Sequence, residues 1–566
     1  MYPSEGFIVN KQSTRTQNNR SKIKQLLFKP FYIGLVVLVL LGVTAVTFTL
    51  DQTQKLHLES GSALEVTCNA QGLNIEITSR NALRLVCPSD GTVPTPTARP
   101  PLAEDIIYVS TTGNDDWPGT LDQPLRTIQM GVDLASAGKT VYVREGTYYE
   151  QVIISTSGTS TSPITVSAYP GETPIIDGQY DLPSHNGDWG GCNNTVSPPT
   201  CFNYEHLVSI EGDYIVLDGF EIRHSLGRGV AVYKYNGSPT GAIIKNNNVH
   251  SNRDVGILMH EAKNVTIENN DISYNSNFAT HHRGAGEMNW SAGAVSVRSD
   301  NIVYRGNTIH NNWGEGVITG NYAGSTNITI EDNVFYDNYA LQIYVHRSHN
   351  VNVERNLVYC TDDSRFFRGS DRTFGLVVAN EPPPEGFSDG LRTRDIDILN
   401  NIVTGCRQNF AVWGSDSAAE DYRIINMLVA HNTFVNAVST SGPDQAENVL
   451  WTNYNYENVR FENNIIYQQD GIPINLLRDY PGLTLENNLW SSPPVFTAAG
   501  SGDIVDDPQL VYPNAPIVPG QVDAAWYKLQ SSSPAIGAAE KTNGITNDFF
   551  GNSRGNNSDI GAHERQ

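Results

Sequence analysis

Cations are scarce in this 566-residue chain: Lys and Arg number 37 against 60 Asp and Glu, for a formal net charge of −23. Residues 1–30 nevertheless carry Lys11, Arg15, Arg20, Lys22, Lys24 and Lys29 against Glu5, so the remainder stands near −28 by subtraction. A surface of that sign repels phosphate backbones and excludes nucleic acid as a partner, and it suits an exported protein in a Ca²⁺-rich medium. Cysteine is sparse too. Its six copies fall into three local pairs, Cys68 with Cys87, Cys192 with Cys201 and Cys360 with Cys406. None has the C-x-x-C spacing of a zinc site, which leaves disulfides formed in an oxidising compartment as the expectation. Beyond residue 50 the chain also lacks amphipathic stretches of helix length. Its 49 glycines and its short Asn-dense runs point instead to a turn-rich β protein.

One long apolar run interrupts this polar pattern. Residues 31–50, FYIGLVVLVLLGVTAVTFTL, contain no charge and are long enough to cross a bilayer as a helix. The cations lie on the N-terminal side, so residues 1–30 are expected in the cytoplasm and the bulk outside. The run exceeds a usual signal-peptide core and has no clear A-x-A site, which favours an uncleaved anchor. Residues 51–64 read as a stalk. LEVTC and NALRLVC, within 65–87, read as two short strands stapled by Cys68 and Cys87, and the Pro- and Thr-rich residues 88–104 as an extended linker. Residues 105–500 then form the main body, and 501–566 a C-terminal cap.

The main body is a repeat. An apolar residue, two variable residues, Asn, one residue and another apolar residue recur with Asn at 247, 270, 307, 333, 356, 401, 432, 464 and 488. The spacings are 23, 37, 26, 23, 45, 31, 32 and 24, a period near 23 broken by insertions. Such a period with strand-like alternation predicts a β-solenoid, and its shortest steps are too short for propeller blades. A lone Asn can be a glycosylation acceptor. Nine in register imply an amide stack, because an amide both donates and accepts along the coil axis.

From Ile106 to about Asn488 this register resembles the pectate-lyase-like right-handed parallel β-helix superfamily. The opening IIYVSTTGNDDWPGTLDQPLRTIQMGVDLASAGKTVYVREGTYYEQVIIS and PITVSAYPGETPIIDG are similar to the start of many exported members, including relatives of chondroitinase B and alginate lyases. DPQL, YKLQSSSPAIGAA, DFFGN and DIGAHE resemble the C-terminal segment of bacterial secreted members. The resemblance implies three strands per coil, with a polysaccharide along the first sheet and the Asn at the turn between the second and third strands. It does not imply one reaction, since lyases, hydrolases, esterases, epimerases and adhesins share the fold.

On that frame GVAVYK, GILMHE, AVSVRS, GVITGN and IYVHRS, from Gly229, Gly256, Ala294, Gly316 and Ile343, become first-sheet strands. Alternation turns Leu258, His260, Tyr344 and His346 outward, with Ser296 and Arg298 outward between them provided that Val295 and Val297 point in. Two insertions border this face, one with His281, His282, Arg283 and Glu287, the other, 360–373, with Asp362, Asp363, Arg365, Arg368 and Arg372. Such a groove suits an acidic glycan, since a uronate carboxylate must be neutralised before its C5 proton can leave. Tyr344, His346 and His260 are the base candidates and Arg298 and Arg347 the charge stabilisers. His281, His282, Arg283, Glu287, Arg365 and Arg368 are the substrate-binding candidates. Hydrolysis needs paired carboxylates; Glu287, Glu315, Asp254, Asp362 and Asp363 are available, but no local pair stands out and polygalacturonase-like signatures are absent. Gly146 to Glu150 match a G-x-Y-x-E pattern of pectin methylesterases, yet the later esterase signatures are missing, so Tyr148 and Glu150 read as structural. Glu268, Glu331, Glu354, Glu462 and Glu486 recur in a row that reads as the solvated face of the second sheet; Ca²⁺ has no assigned ligands. The expected function is a membrane-anchored extracellular protein acting on a polysaccharide by lyase-type elimination. The alternative is a non-catalytic module that binds glycan or serves as a structural part of the cell surface.

The charge-flanked run generates one prediction. Residues 1–50 placed ahead of a soluble reporter in a bacterial host should hold it in the membrane pellet through alkaline carbonate washing and release it with detergent. Release by carbonate alone would show that the run is no anchor.

Overall fold

The computed structural model describes residues 105–183, 190–193, 200–203, 205–277, 292–320, 324–381, 392–414, 423–440, 447–451, 456–469, 475–476, 481–494, 498–542 and 544–566, together with five short strands before residue 87. Two compact units divide the chain, 1–99 and 100–566. In the first, Phe48–Leu50, Lys55–Leu58 and Val66–Thr67 form one antiparallel sheet, and Asn74–Ile77 pairs with Leu83–Val86 in another. The predicted stalk thus contains a strand, and the runs LEVTC and NALRLVC both contain one, in different sheets. The last three residues of the apolar run are strand as well, and the rest of it lies outside the described residues, as do Cys68 and Cys87. Among the described residues no helix is long and apolar enough to cross a membrane.

The second unit winds through three parallel sheets of 11, 13 and 13 strands. One coil shows the order: Ile257–His260 in the first sheet, Lys263–Glu268 in the second and Asp271–Ser273 in the third, each paired in parallel with its counterpart one coil away. Apolar side chains of all three sheets fill the interior, including Ile257, Met259, Ile267, Ile272, Ile343 and Val345. At the N-terminal end the helix Ile128–Leu134 adds Ile128 and Val132 to this core. Glu150 accepts hydrogen bonds from the Ile128 and Gln129 backbone amides at 2.9 Å, and Tyr148 donates to the Arg144 carbonyl, so both residues do structural work.

Amide stacks hold the coils in register. All nine repeat asparagines are at most 2% exposed, and each donates Nδ2 to the Oδ1 of the next at 2.9–3.1 Å, from Asn247 to Asn488. Five residues further on, at the turn from the third sheet to the first, Asn252, Asn275, Asn312 and Asn338 form a second stack ending on Gln342. Glycine is required beside it. A Cβ on Gly229, Gly256, Gly293 or Gly316 would lie 2.7–2.9 Å from the Nδ2 of Asn252, Asn275, Asn312 or Asn338. The Glu row faces outward from the second sheet with Arg305 between Glu268 and Glu331, but it is not solvated throughout: Glu331 is buried, and Glu462 is buried where it accepts from the Thr542 hydroxyl. Arg305 and Arg355 both pair with Glu331, at 2.6 and 2.8 Å.

Ile504–Val505 adds the last strand to the third sheet, and the residues that follow run along the side of the solenoid. Leu510, Tyr527, Leu529, Ile560 and Ala562 pack on Tyr359, Ile402, Val435, Ile465 and Leu489 of the third sheet. Asn333→Ala in the first stack would remove the acceptor of the Asn307 amide and side chain and the side-chain donor to the Tyr304 carbonyl. At about 1–3 kcal/mol per buried orphan, thermal unfolding of that variant should show a loss of several degrees; a melting temperature equal to the wild type's would remove the stacks from the account of stability.

Candidate functional site

The outer face of the first sheet is where the expected residues gather, and the register decides which of them meet. Leu258 and Tyr344 face outward while Ile257, Met259, Ile343 and Val345 point into the core. His260 and His346 stand in the same outer row, but Val297 and Gly320 occupy that row in the two coils between them. Three rungs of about 4.8 Å separate the two by about 14 Å, so they do not act on one atom. The phase of Ala294–Val297 is the reverse of the expectation: Val295 and Val297 face outward, and Ser296 is buried with its hydroxyl 2.7 Å from the Tyr304 hydroxyl. Arg298 and Arg347 both follow their strands in left-handed conformation. Arg298 is half-exposed and pairs with Glu261 at 3.4 Å, whereas Arg347 is buried with its amide on Thr393. His281, His282, Arg283 and Glu287 lie outside the described residues.

Around Tyr344 the structure brings together a different set. The Tyr344 hydroxyl donates to Glu381 Oε2 at 2.6 Å, and its ring stacks parallel to His346 at 5.0 Å and lies 6.3 Å from Trp413. Arg368 reaches this spot from the second insertion, its guanidinium 5.3 Å from the Phe374 ring and 5.8 Å from Trp413. Glu315, at the turn entering the first sheet two coils before Glu381, is 7% exposed, and its Oε2 has no hydrogen-bond partner. Burial pushes its carboxyl up to about 7, opposed by the charge of Arg368 and reinforced by Glu381. Burial, with Glu381 and Glu315, holds the Tyr344 phenol well above its usual range, so it stays protonated as a donor. Burial also lowers Arg368, although Glu315, Tyr339, Tyr344 and Glu381 all act to keep it charged.

The insertion that supplies Arg368 is fastened at its root. Cys360 and Cys406 form a disulfide between successive coils, as the pairing predicted. Asp371 accepts from the Arg372 and Thr440 amides, and Arg372 Nη1 donates to the carbonyls of Cys360 and Gly405. Arg365 points to other partners: it is exposed and paired with Asp363 at 2.6 Å. The backbone also sets Cys192 directly opposite Cys201 in an antiparallel pair. Among the described residues no group of three or more His, Cys, Asp or Glu side chains is arranged to hold a metal ion.

Glu381 and the strand Phe374–Asn380 that carries it were missed at the level of sequence. The available signal was Gly375 before Leu376, the same Gly-apolar pair that opens the strands at Gly256 and Gly316. Chemically, the cluster combines a carboxyl that titrates near neutrality, a protonated phenol, a second carboxylate and one buried guanidinium. Such a set can move protons at a sugar ring.

These coils and their outer face define a right-handed parallel β-helix repeat protein of the pectate-lyase-like superfamily. Within that class, residues 107–354 match the family described as "Pel9A-like, right handed beta helix region", and residues 289–446 match "Right handed beta helix region". A stretch of 89 residues, 15% of this chain and 21% of the relative, is 49% identical to the pectate lyase PEL9 of Emericella nidulans. Over 330 residues, 53% of this chain and 63% of the relative, it is 25% identical to the uncharacterized protein YwoF of Bacillus subtilis. The chain thus spans about a fifth and under two thirds of the length of these curated relatives. Among solved structures, the complex of XylC with xylose is similar in fold, with a TM-score of 0.51 at 14% identity over 81% of this chain and 98% of that one.

The raised Glu315 carboxyl has a consequence for stability. Its folded state holds a proton that the unfolded chain releases near 4.5, so its contribution is full below that pH and is lost as pH rises through about 7. Relative to Glu315→Gln, the wild type should lose on the order of 3 kcal/mol across that window, read by urea unfolding at each pH. Parallel curves would show that Glu315 is solvated.

Proposed function

We propose that the chain acts on an acidic polysaccharide by β-elimination at the Glu315, Tyr344, Glu381 and Arg368 cluster. The single observation that carries this reading is Glu315, a buried carboxyl titrating at about 7 beside a guanidinium and a phenol. Arg368 sets its charge against the uronate carboxylate. The ionised Glu315 takes the C5 proton, the electron pair forms the C4–C5 double bond, and the C4–O bond breaks as Tyr344 protonates the leaving oxygen. Glu381 orients Tyr344 through their hydrogen bond. The Pel9A-like match and the segment shared with a pectate lyase support the substrate class. Residues 31–50 serve in this reading as an anchor that holds the solenoid outside the cell, where the Cys360–Cys406 disulfide persists.

One observation favours a second reading. Glu315 and Glu381 are two carboxyls near enough for the charge of Glu381 to raise Glu315, and hydrolysis uses a pair of carboxyls with the raised one as the acid. The two reactions need opposite ionisations of the same group, so pH separates them. Polygalacturonate, alginate and chondroitin sulfate are to be incubated with the protein, with and without Ca²⁺, while the ultraviolet absorbance of unsaturated ends is followed. Elimination predicts a rate that rises with pH through about 7, and a fall of about 10²–10⁴ in Glu315→Gln. New reducing ends without absorbance, at a rate that falls over the same range, would assign hydrolysis. Glycan binding without turnover, unchanged by replacing Tyr344 and His346, would assign a binding module and sink both enzymatic readings.

A further inference from the structure

His260 stands too far from Tyr344 to share its chemistry, yet it is not isolated. Tyr233 lies edge-on to both His206 and His260, with ring centroids 5.7 and 5.2 Å away. His206 is 6% exposed, and the Nδ1 atoms of both histidines are buried without a hydrogen-bond partner. Beside them Arg228 pairs with Asp254 at 3.1 Å and Arg298 with Glu261 at 3.4 Å, so these charges are matched with each other. Burial keeps both imidazoles neutral, His206 down to about 3 with help from the Arg228 charge. A neutral imidazole has one nitrogen that donates and one that accepts. Two such rings with orphaned nitrogens and a phenol between them form a hydrogen-bonding set for uncharged hydroxyl groups, because a buried polar atom left unmade in the free protein is satisfied when a ligand hydroxyl arrives.

Position links this set to the cluster around Tyr344. His260 closes its first-sheet strand and Tyr233 directly follows its own, as Glu381 follows the strand Phe374–Asn380, so these three lie along the edge where the first sheet turns into the second; His206 opens the strand His206–Ile210 and joins them through the Tyr233 ring. From the Tyr344 coil, His260 is three rungs away, Tyr233 four and His206 five, a span of about 14–24 Å. A sugar unit in an extended glycan advances by about one rung. We infer that His206, Tyr233 and His260 form a distal subsite that binds, through its hydroxyls, a sugar of the same glycan chain three to five units from the bond that is cut.

This inference rests on the functional reading above, and the test keeps the two apart. Trimers and octamers of galacturonate and of mannuronate are titrated calorimetrically into the full-length chain, into Glu315→Gln and into the double variant Tyr233→Phe with His260→Ala. The expected result is an octamer bound about tenfold more tightly than the trimer of one series. The double variant should lose that advantage while keeping its trimer affinity and melting temperature. Equal affinities for the two lengths, an advantage that survives the double substitution, or no binding of either series would overturn the inference. A double variant that fails to fold is replaced by His260→Gln, which must show the same loss. Absorbance of unsaturated ends in the wild type reports on the reaction alone: length-dependent binding without cleavage retains the subsite and removes the lyase, and cleavage without length dependence does the reverse.

Discussion

Everything in the main body hangs on the hydrogen bond between one buried carboxamide and the next. A solenoid coil must turn sharply three times, and at the turn after the second sheet the polar backbone groups sit between neighbours on both sides, out of reach of water. The side chain of Asn401 illustrates the solution: its Nδ2 reaches the Val353 carbonyl and Asn432 Oδ1, while its Oδ1 receives the Asn356 amide and side chain. Few residues both donate and accept at that length, and the constraint is repeated in nine successive coils from Asn247 to Asn488, so each of these is held in register with the next. Register in turn decides which outward side chains are neighbours. The candidate site is therefore a by-product of the stack: Glu315, Tyr344 and Glu381 come from three successive coils, and Arg368 from the insertion between the last two.

This dependence explains what could be read from the chain alone. The nine-fold Asn pattern, the order of the sheets and the outward phase of Tyr344 and His346 were legible because each is enforced in many coils at once. The second stack was not, since Asn252, Asn275, Asn312 and Asn338 follow at a fixed offset of five but open no strand of their own. The phase of Ala294–Val297 was ambiguous for a physical reason. Alanine, valine and serine fit either face, and what sends Ser296 inward is a hydroxyl partner on Tyr304 that only the fold supplies. Glu315 could be named as a carboxylate, but not as one that titrates near neutrality. That property comes from burial beside groups 53 and 66 residues away in sequence, Arg368 and Glu381.

Charge follows the same logic of neighbours. The chain is strongly acidic overall, yet Arg305 and Arg355 are spent on the carboxylate row of the second sheet, Arg228 on Asp254 and Arg365 on Asp363. Arg368 differs in kind. It is held over aromatic faces in a poorly solvated place, and the acids that sense it belong to the candidate site itself. A scarce cation placed there has more electrostatic leverage than one on the surface, because the field it exerts is little screened by water.

The segment after residue 500 also bounds how this molecule can change. A stack of repeats ordinarily tolerates gain or loss of a coil, since each unit touches only its neighbours. Here the Gly520 amide is held by the Tyr359 hydroxyl, Arg554 by Asn400, the Asp559 carbonyl by His431 and the Gly561 amide by the Asn463 carbonyl, a chain of moorings that spans four successive coils. A coil inserted among those four would slide every later mooring out of reach by one rung. The strap thus works as a ruler laid along the growing end: duplication is open to the coils before Tyr359 and closed to those beneath it.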